Sequence, residues 1–167
     1  IHEPWAEKMR RETTPVLDVF IGLGVEADLT DLPESVTFPL REPIRFGNLS
    51  FGCIGINNYA GFAGYAPEGC TALTTVLIGD SYDFWKHCKE SGVYEAEKQK
   101  LADAVIRAIE EKFPQTTGKI VVSDVATPLT YERYLGSYKG SWMSIMKKGQ
   151  GTVQYPVKPE SIQNLYF

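Results

Sequence analysis

The sequence is poor in the residues that carry most acid–base, nucleophilic and metal chemistry. It has two histidines, His2 and His87, and three widely separated cysteines, Cys53, Cys70 and Cys88. A structural zinc site needs four convergent sulfur or nitrogen ligands, so this spacing, without a Cys-x-x-Cys pair, argues against one. An odd number of cysteines fits a reducing compartment better than a disulfide scaffold, and we expect all three to be buried or half-buried thiols.

Long apolar runs and an excess of positive charge are also missing. No stretch approaches the roughly 20 apolar residues of a membrane-spanning helix, and no signal-peptide pattern opens the chain. The 17 basic and 21 acidic side chains give a net charge of −4, which argues against nucleic acid as a partner. We therefore expect a cytoplasmic protein, and peripheral contact with a membrane is left open.

What remains is the composition of one globular domain of 167 residues, 43% hydrophobic and 12% aromatic. A chain of this length buries a core without disulfides or metal. Several strand patterns precede the main helix, and no strict β-α-β alternation occurs. The order predicts an α+β domain with a mixed, largely antiparallel sheet and helices packed on one face.

The individual elements follow from apolar periodicity and from the turn and capping residues between them. The best-defined helix carries an apolar stripe at Leu101, Val105, Ala108 and Ile109, which predicts a helix lying on a core. The predicted helices are Glu3–Arg11, Tyr82–Lys89, Tyr94–Phe113 and Thr130–Tyr134; the predicted strands are Val16–Leu23, Ser50–Asn57, Ala72–Gly79 and Lys119–Val125, with one more at the C-terminal end; the predicted loops are Asp28–Glu34 and Asn58–Gly69.

One segment has the spacing of a dinucleotide-binding turn. Gly22-Leu23-Gly24-Val25-Glu26-Ala27 matches G-x-G-x-x-G/A and follows a predicted strand. The motif binds a pyrophosphate only when a helix begins there and presents its N-terminal amides. The acidic, proline-containing loop Asp28–Glu34 follows at once and leaves little room for a helix. We interpret the match as accidental.

No recognised catalytic motif is present. His87 and Cys88 are neighbours, and adjacent side chains on a helix do not face each other. The sequence contains no G-x-S-x-G, H-E-x-x-H or P-loop pattern. The catalytic residues are therefore unknown at this stage, and no metal-binding set is predicted.

The most distinctive segment is Val121–Met146. It combines a strand, a Thr-Pro-Leu-Thr turn and a loop whose aromatic residues are separated by glycine. Such a loop suits a wall against a large apolar ligand, although its composition alone favours a loop that caps the core. The overlapping segment Arg133–Pro159 contains no acidic residue and is therefore locally positive. Its positive charge suits contact with a cofactor phosphate, a neighbouring domain or membrane headgroups, and it equally suits an ordinary surface. The basic residues are Arg133, Lys139, Lys147, Lys148 and Lys158.

These residues also resemble a known family. Asp124–Tyr134, followed by Gly136 and Gly140-Ser141, resembles the late motif of the phytoene desaturase-like FAD-dependent oxidoreductases, which include carotenoid desaturases and isomerases and retinol-saturase-like enzymes. Three weaker similarities accompany it. Val19–Val25 with Asp28-Leu29 resembles the strand that opens the family's substrate-domain sheet, and Pro67–Gly69 followed by Leu73–Leu77 resembles its P-x-G turn and next strand. Ile162–Phe167 resembles the strand that leads into the family's C-terminal flavin-binding motif.

The resemblance implies a substrate-binding domain, residues 1–167, excised from a larger FAD-dependent enzyme that acts on a polyene or other apolar substrate. Both glycine-rich flavin motifs of the family are absent, so FAD would be held by the missing domain, and this chain alone would be inactive. In such enzymes the flavin performs the redox chemistry and the protein positions the substrate.

The resemblance also selects candidate substrate contacts in the distinctive segment. An amine oxidase-like flavoenzyme domain and a non-catalytic module for hydrophobic ligands remain alternatives to a polyene enzyme. The expected substrate-binding residues are Thr127, Pro128, Leu129, Thr130, Tyr134, Gly140, Trp142 and Met143.

Overall fold

A computed structural model describes residues 3–147, 149 and 156–166. Strands and helices alternate irregularly along the chain, as expected for an α+β protein. In chain order the elements are α1 (Pro4–Glu12), β1 (Thr13–Val16), β2 (Asp18–Val25), β3 (Ser35–Phe46), β4 (Leu49–Asn58), β5 (Thr71–Ile78), α2 (Tyr82–Glu90), α3 (Tyr94–Lys112), β6 (Ile120–Ala126), α4 (Pro128–Leu135) and β7 (Met143–Met146).

A five-stranded sheet with the strand order β3-β4-β5-β2-β6 forms the centre of the molecule. Every pairing in it among the described residues is antiparallel. The prediction of an α+β fold with a largely antiparallel sheet is confirmed. Strands β1 and β7 form a separate two-stranded antiparallel sheet.

One face of the large sheet forms the core under α2 and α3. Successive side chains of a strand point to opposite faces, and in β2 the alternate residues from Val19 to Val25 are buried. The stripe of α3 packs against them through Leu101, Val105 and Ile109, which are all at most 4% exposed. The prediction that this helix lies on the core is confirmed. Ala108, the remaining residue of the predicted stripe, is half-buried at the edge of the core.

Strand β3 has no counterpart among the predicted elements, because Pro39, Pro43 and the charged residues between them interrupt its pattern. It is an edge strand whose register shifts between Pro39 and Ile44, and prolines are tolerated at edges and bulges. One expectation about secondary structure is wrong: the strand expected at the C-terminal end is absent from the described residues 156–166, which form bends and turns.

The described part of the chain gives few candidates for covalent, metal or membrane roles. Cys88 is buried and Cys70 half-buried, as expected, but Cys53 is exposed, so that expectation is wrong. Across the described ranges, no group of three or more His, Cys, Asp or Glu side chains is placed to hold a metal ion. No helix in those ranges is long and apolar enough to cross a membrane.

Candidate functional site

The Thr-Pro-Leu-Thr motif forms the beginning of α4. Thr127 is the N-cap: its hydroxyl accepts a hydrogen bond from the Leu129 amide at 3.2 Å, and its own amide donates to the Thr130 hydroxyl at 3.2 Å. Pro128 occupies the first helical turn, where its missing N–H costs nothing. The helix therefore begins at Pro128, two residues before the predicted start.

Thr127 also joins α4 to the long helix. It is 0% exposed, and its hydroxyl lies 2.7 Å from the hydroxyl of Tyr94, the first residue of α3. Its polar atoms are therefore used inside the domain. Of the predicted contact residues, Thr127 and Pro128 are buried, while Leu129 packs against the core.

This link predicts a measurable coupling. Thr127→Val should lower the free energy of unfolding by about 1–2 kcal/mol, because it removes a helix cap and leaves the Tyr94 hydroxyl without its partner. Tyr94→Phe should cost about 1 kcal/mol, and the double variant less than the sum. Denaturant unfolding of the three variants measures the coupling; additive costs would show that the hydroxyl pair contributes nothing.

Gly140 holds the aromatic loop against α4. It has φ +67°, and a Cβ there would lie 1.8 Å from the Pro128 carbonyl oxygen. Residues Tyr138–Gly140 form a short 3₁₀ turn, and α4 itself ends at Gly136, which is left-handed with φ +64°. Gly136 and Gly140 are therefore favoured by their left-handed backbone conformations, and Gly140 also by the close approach of Pro128.

Side chains of α2 fix the position of α4 and its loop. The Tyr82 hydroxyl donates to both carboxylate oxygens of Glu132, at 3.0 and 2.9 Å, and this hydrogen bond raises the pKa of Tyr82. The Lys139 ammonium lies 3.8 Å from the Asp83 carboxylate and 5.6 Å from the centroid of the Tyr82 ring. These contacts hold α4 and the loop in one arrangement.

Three of the five basic residues singled out from the sequence have partners within the chain. Besides the contacts of Lys139, the Arg133 guanidinium lies 5.2 Å from the Tyr134 ring centroid, and the Lys147 ammonium donates to the Arg11 carbonyl. Lys148 lies outside the described residues. The expectation of a phosphate or membrane headgroup at this segment remains a prediction.

Three of the predicted contact residues are on the surface. Tyr134 is 72% exposed, Trp142 48% and Met143 44%. The Trp142 amide donates to the Val16 carbonyl, and Met143 pairs with Val16, which places this loop beside the beginning of β2. These side chains are available to a ligand or to another domain.

The sheet presents a second apolar surface, on the side opposite the core. Gly22 opposes Thr74 and Asp124 in the neighbouring strands, and directly opposed residues share a face. Val122 is 61% exposed, Ile78 58% and Val76 37%. We call this surface the open face; it consists of Phe20, Gly22, Gly24, Ala72, Thr74, Val76, Ile78, Val122, Asp124 and Ala126.

The open face is not among the sites predicted from the sequence, although part of its signal is local. Alternate residues of β2 give Phe-x-Gly-x-Gly, and alternate residues of β5 give Ala-x-Thr-x-Val-x-Ile. A strand with both faces apolar predicts cover on both sides. The helices cover one side, and the other side is the open face.

The aromatic loop and the open face meet at one end of β2. Asp18 opposes Ile78 at the end of the open face and is only 5% exposed. Burial raises the pKa of Asp18, and a hydrogen bond with Tyr131 of α4 acts in the opposite direction. Helix α4 therefore closes this end, with the exposed aromatic side chains of its loop nearby.

A cavity of about 830 Å³ lies elsewhere, between β3 and α3. Arg41, Arg45, Arg107, Lys112 and two glutamates line it together with apolar side chains. It is on the helix side of the sheet, away from the predicted residues, and its charged lining differs from the mostly apolar lining of ligand pockets.

The glycine spacing in β2 does not form a flavin pyrophosphate site. Gly22 and Gly24 lie inside the strand, and a short turn closed by the Leu32 amide on the Leu29 carbonyl follows instead of a helix. Without a helix N-terminus, no array of amides faces a phosphate. This geometry agrees with the interpretation of the motif as accidental.

No protein-family model matches the chain, but it is similar to prolycopene isomerases of plants. It is 32% identical to the chloroplastic enzyme of Daucus carota over 104 residues, which are 60% of this chain and 16% of that protein. The Arabidopsis thaliana enzyme is 34% identical over 104 residues, 60% of this chain and 17% of that protein.

Prolycopene isomerase 1 of an Oncidium hybrid is 29% identical over 103 residues, again 60% of this chain and 17% of that protein. The chain thus spans about a sixth of the length of the curated relatives it matches. All three are named as chloroplastic, which differs from the cytoplasmic location expected here. Over more than half its length, the chain is similar to carotenoid isomerases, and this supports its resemblance to the phytoene desaturase-like family.

Proposed function

We propose that this chain is a substrate-binding domain of a phytoene desaturase-like, FAD-dependent oxidoreductase that acts on a polyene or other apolar substrate. The observation that carries the proposal is the open face, a broad apolar sheet surface left in water with Val76, Ile78 and Val122 exposed. Similarity to enzymes named for prolycopene, a carotenoid, supports the same class of substrate.

The open face suits an extended, flat ligand. Gly22 leaves the middle of β2 without a side chain, so a planar conjugated chain can approach the backbone closely there, whereas the Val122 side chain occupies the space over Gly24. Removing apolar surface from water contributes about 25 cal/mol per Å², so the face favours any apolar cover. At one end, Tyr134 and Trp142 offer aromatic surface to the same ligand.

In this proposal, FAD is bound by residues outside this chain. Bound flavin supplies the redox chemistry in such enzymes. The residues of β2 do not form a pyrophosphate site, so the role of this chain is to bind the substrate, to orient it and to exclude water. The flavin-binding domain would then cover the open face, and this chain alone would be inactive.

Binding of lycopene to the 167-residue chain tests the proposal. Val76→Lys should weaken binding at least tenfold, because it places a charge among apolar side chains in the middle of the open face. Val93→Lys is the matched control: Val93 is similarly exposed, at 44%, but precedes α3 on the helix side. The shift of the carotenoid absorption spectrum on titration measures both.

Two results would contradict the proposal. Equal affinities for Val76→Lys, Val93→Lys and the unsubstituted chain would show that lycopene does not use the open face. Stoichiometric uptake of FAD by this chain would show that its own residues hold the flavin. Circular dichroism of each variant confirms that the fold is kept.

A further inference from the structure

The cavity between β3 and α3 is a groove with charged walls, on the side of the sheet opposite the open face. Its volume of about 830 Å³ is in the range of small-molecule binding sites. We call it the charged groove. One wall consists of residues 38–45 of β3, and the other is the face of α3 that carries Ala104, Arg107, Ala108, Glu111 and Lys112.

The strand wall of the charged groove is a bulge held in place on the helix. The register of β3 against β4 shifts between Pro39 and Ile44, so the four residues between them lie opposite the single residue Gly52. Proline fixes φ near −65°. The Phe38 ring meets the Phe113 ring, just after α3, edge-on with centroids 5.5 Å apart. The two walls are therefore positioned before any ligand binds.

Positive charge from both walls converges on the groove. Two carboxylates line it, those of Glu42 and Glu111. The lining thus has two more positive than negative side chains, although the chain as a whole has a net charge of −4. The basic residues come equally from the strand and from the helix, and they are Arg41, Arg45, Arg107 and Lys112.

These charges do not neutralise one another. Among the described residues, none of the six charged side chains of the groove forms an ion pair or a side-chain hydrogen bond. Lys112 has a structural reason to be basic, because a cation in the last turn of a helix stabilises its C-terminal end. Arg41 is on the strand bulge and Arg107 precedes the last turn of α3, so the helix end explains neither arginine.

An organic phosphate matches both the charge and the floor of the groove. Arginine binds phosphate oxygens through two parallel N–H···O hydrogen bonds, and a phosphate monoester carries about 1.5–2 negative charges at neutral pH. The floor between the charged walls is apolar: Phe38 and Ile44 are at most 5% exposed, and Ala104 and Ala108 are half-buried. A phosphate with an attached apolar group therefore fits better than an inorganic ion.

We propose that the charged groove binds a phosphate monoester, with the phosphate between Arg41 and Arg107 and its apolar group against Phe38 and Ile44. A soluble ester and the headgroup of an anionic phospholipid share this chemistry, and the experiment below distinguishes them. The sheet separates the charged groove from the open face, so this inference goes beyond the proposed function and does not rest on it.

Titration of the isotope-labelled 167-residue chain with phenyl phosphate, followed by NMR, tests the site. Saturable shifts of backbone amides should be concentrated in residues 38–45 and 104–112. Phenyl phosphate should bind about tenfold more tightly than inorganic phosphate, because it also removes its ring from water. Phenol, which lacks the charge, should produce no saturable shifts.

Substitutions of charge in the groove should act in opposite directions. Arg41→Gln and Arg107→Gln should each weaken binding of phenyl phosphate about tenfold, because each removes a hydrogen bond between charged groups. Glu111→Gln should strengthen binding severalfold, because it removes a like charge beside the phosphate. Lys86→Gln and Glu90→Gln, at exposed positions of α2 outside the groove, are the matched controls and should leave the affinity unchanged.

Cosedimentation with vesicles identifies the source of the phosphate. If the ligand is a lipid headgroup, phosphatidylcholine vesicles that contain phosphatidic acid should retain the chain, and vesicles of phosphatidylcholine alone should not. Arg107→Gln should then abolish retention. A chain that binds phenyl phosphate but is not retained by either kind of vesicle has a site for a soluble ester.

Three results would overturn the inference: no binding of phenyl phosphate by the unsubstituted chain, shifts spread outside the two wall segments, or equal affinities for the groove variants and their controls. Should a variant fail to fold, the positions of the shifts in the unsubstituted chain still decide. Each of these results leaves lycopene binding at the open face unaffected, so the proposed function is tested separately.

Discussion

Replacing Gly140 by alanine is expected to lower the free energy of unfolding by about 3 kcal/mol or more. The new Cβ would lie 1.8 Å from the Pro128 carbonyl oxygen, so the loop has to move away from α4. The residue also has φ +67°, a conformation that costs an alanine about 1–2 kcal/mol. Denaturant unfolding followed by circular dichroism measures the change.

Gly136→Ala separates these two effects. Gly136 has nearly the same backbone conformation, φ +64°, but a Cβ there meets no atom within 4 Å. It should therefore cost only the conformational part, about 1–2 kcal/mol. Equal losses for the two variants would mean that contact between the loop and Pro128 contributes nothing.

Replacing Trp85 by alanine should cost about 3–5 kcal/mol, the range for a large aromatic residue in a packed core. Trp85 is 0% exposed. Its ring contacts those of Phe84, Phe46 and Tyr94, with centroids 5.0, 5.8 and 5.9 Å away. The cavity left by its removal therefore lies where α2, α3 and the sheet meet, and thermal or denaturant unfolding reports it directly.

Trp142→Ala is the matched substitution at the surface. Trp142 is 48% exposed, so its loss should change stability by about 1 kcal/mol or less. If the aromatic loop contacts the ligand, the same variant should weaken lycopene binding severalfold. A destabilisation as large as that of Trp85→Ala would contradict the description of Trp142 as a surface residue.

Local patterns were sufficient for the elements whose burial follows a simple period. The stripe of α3 and the apolar runs of β2 and β5 each identify an element without reference to the rest of the chain. Strand β3 could not be predicted in this way, because Pro39 and Pro43 argue against a strand. The strand tolerates both prolines because it lies at the edge of the sheet and its register shifts between Pro39 and Ile44. The order of the strands, which the local sequence does not give, is needed to recognise this.

The candidate site was predictable only in part for a related reason. The sequence identifies Thr127–Thr130 as a motif, but its spacing does not reveal that Thr127 points inward to Tyr94. The open face depends on which residues oppose each other across strands. Gly22 and Asp124 are about 100 residues apart in the chain, and the distance along the chain carries no information on their pairing.

The empty space over Gly22 has a consequence for stability and evolution. Glycine inside a strand costs roughly 0.5–1 kcal/mol relative to alanine, and a methyl group at this position would be accommodated beside Phe20. Selection for stability alone would therefore replace Gly22, as would a stabilising design procedure. Under the proposed function, a more stable variant obtained in this way would keep a ligand farther from the backbone of β2, and its gain in stability would come with weaker binding.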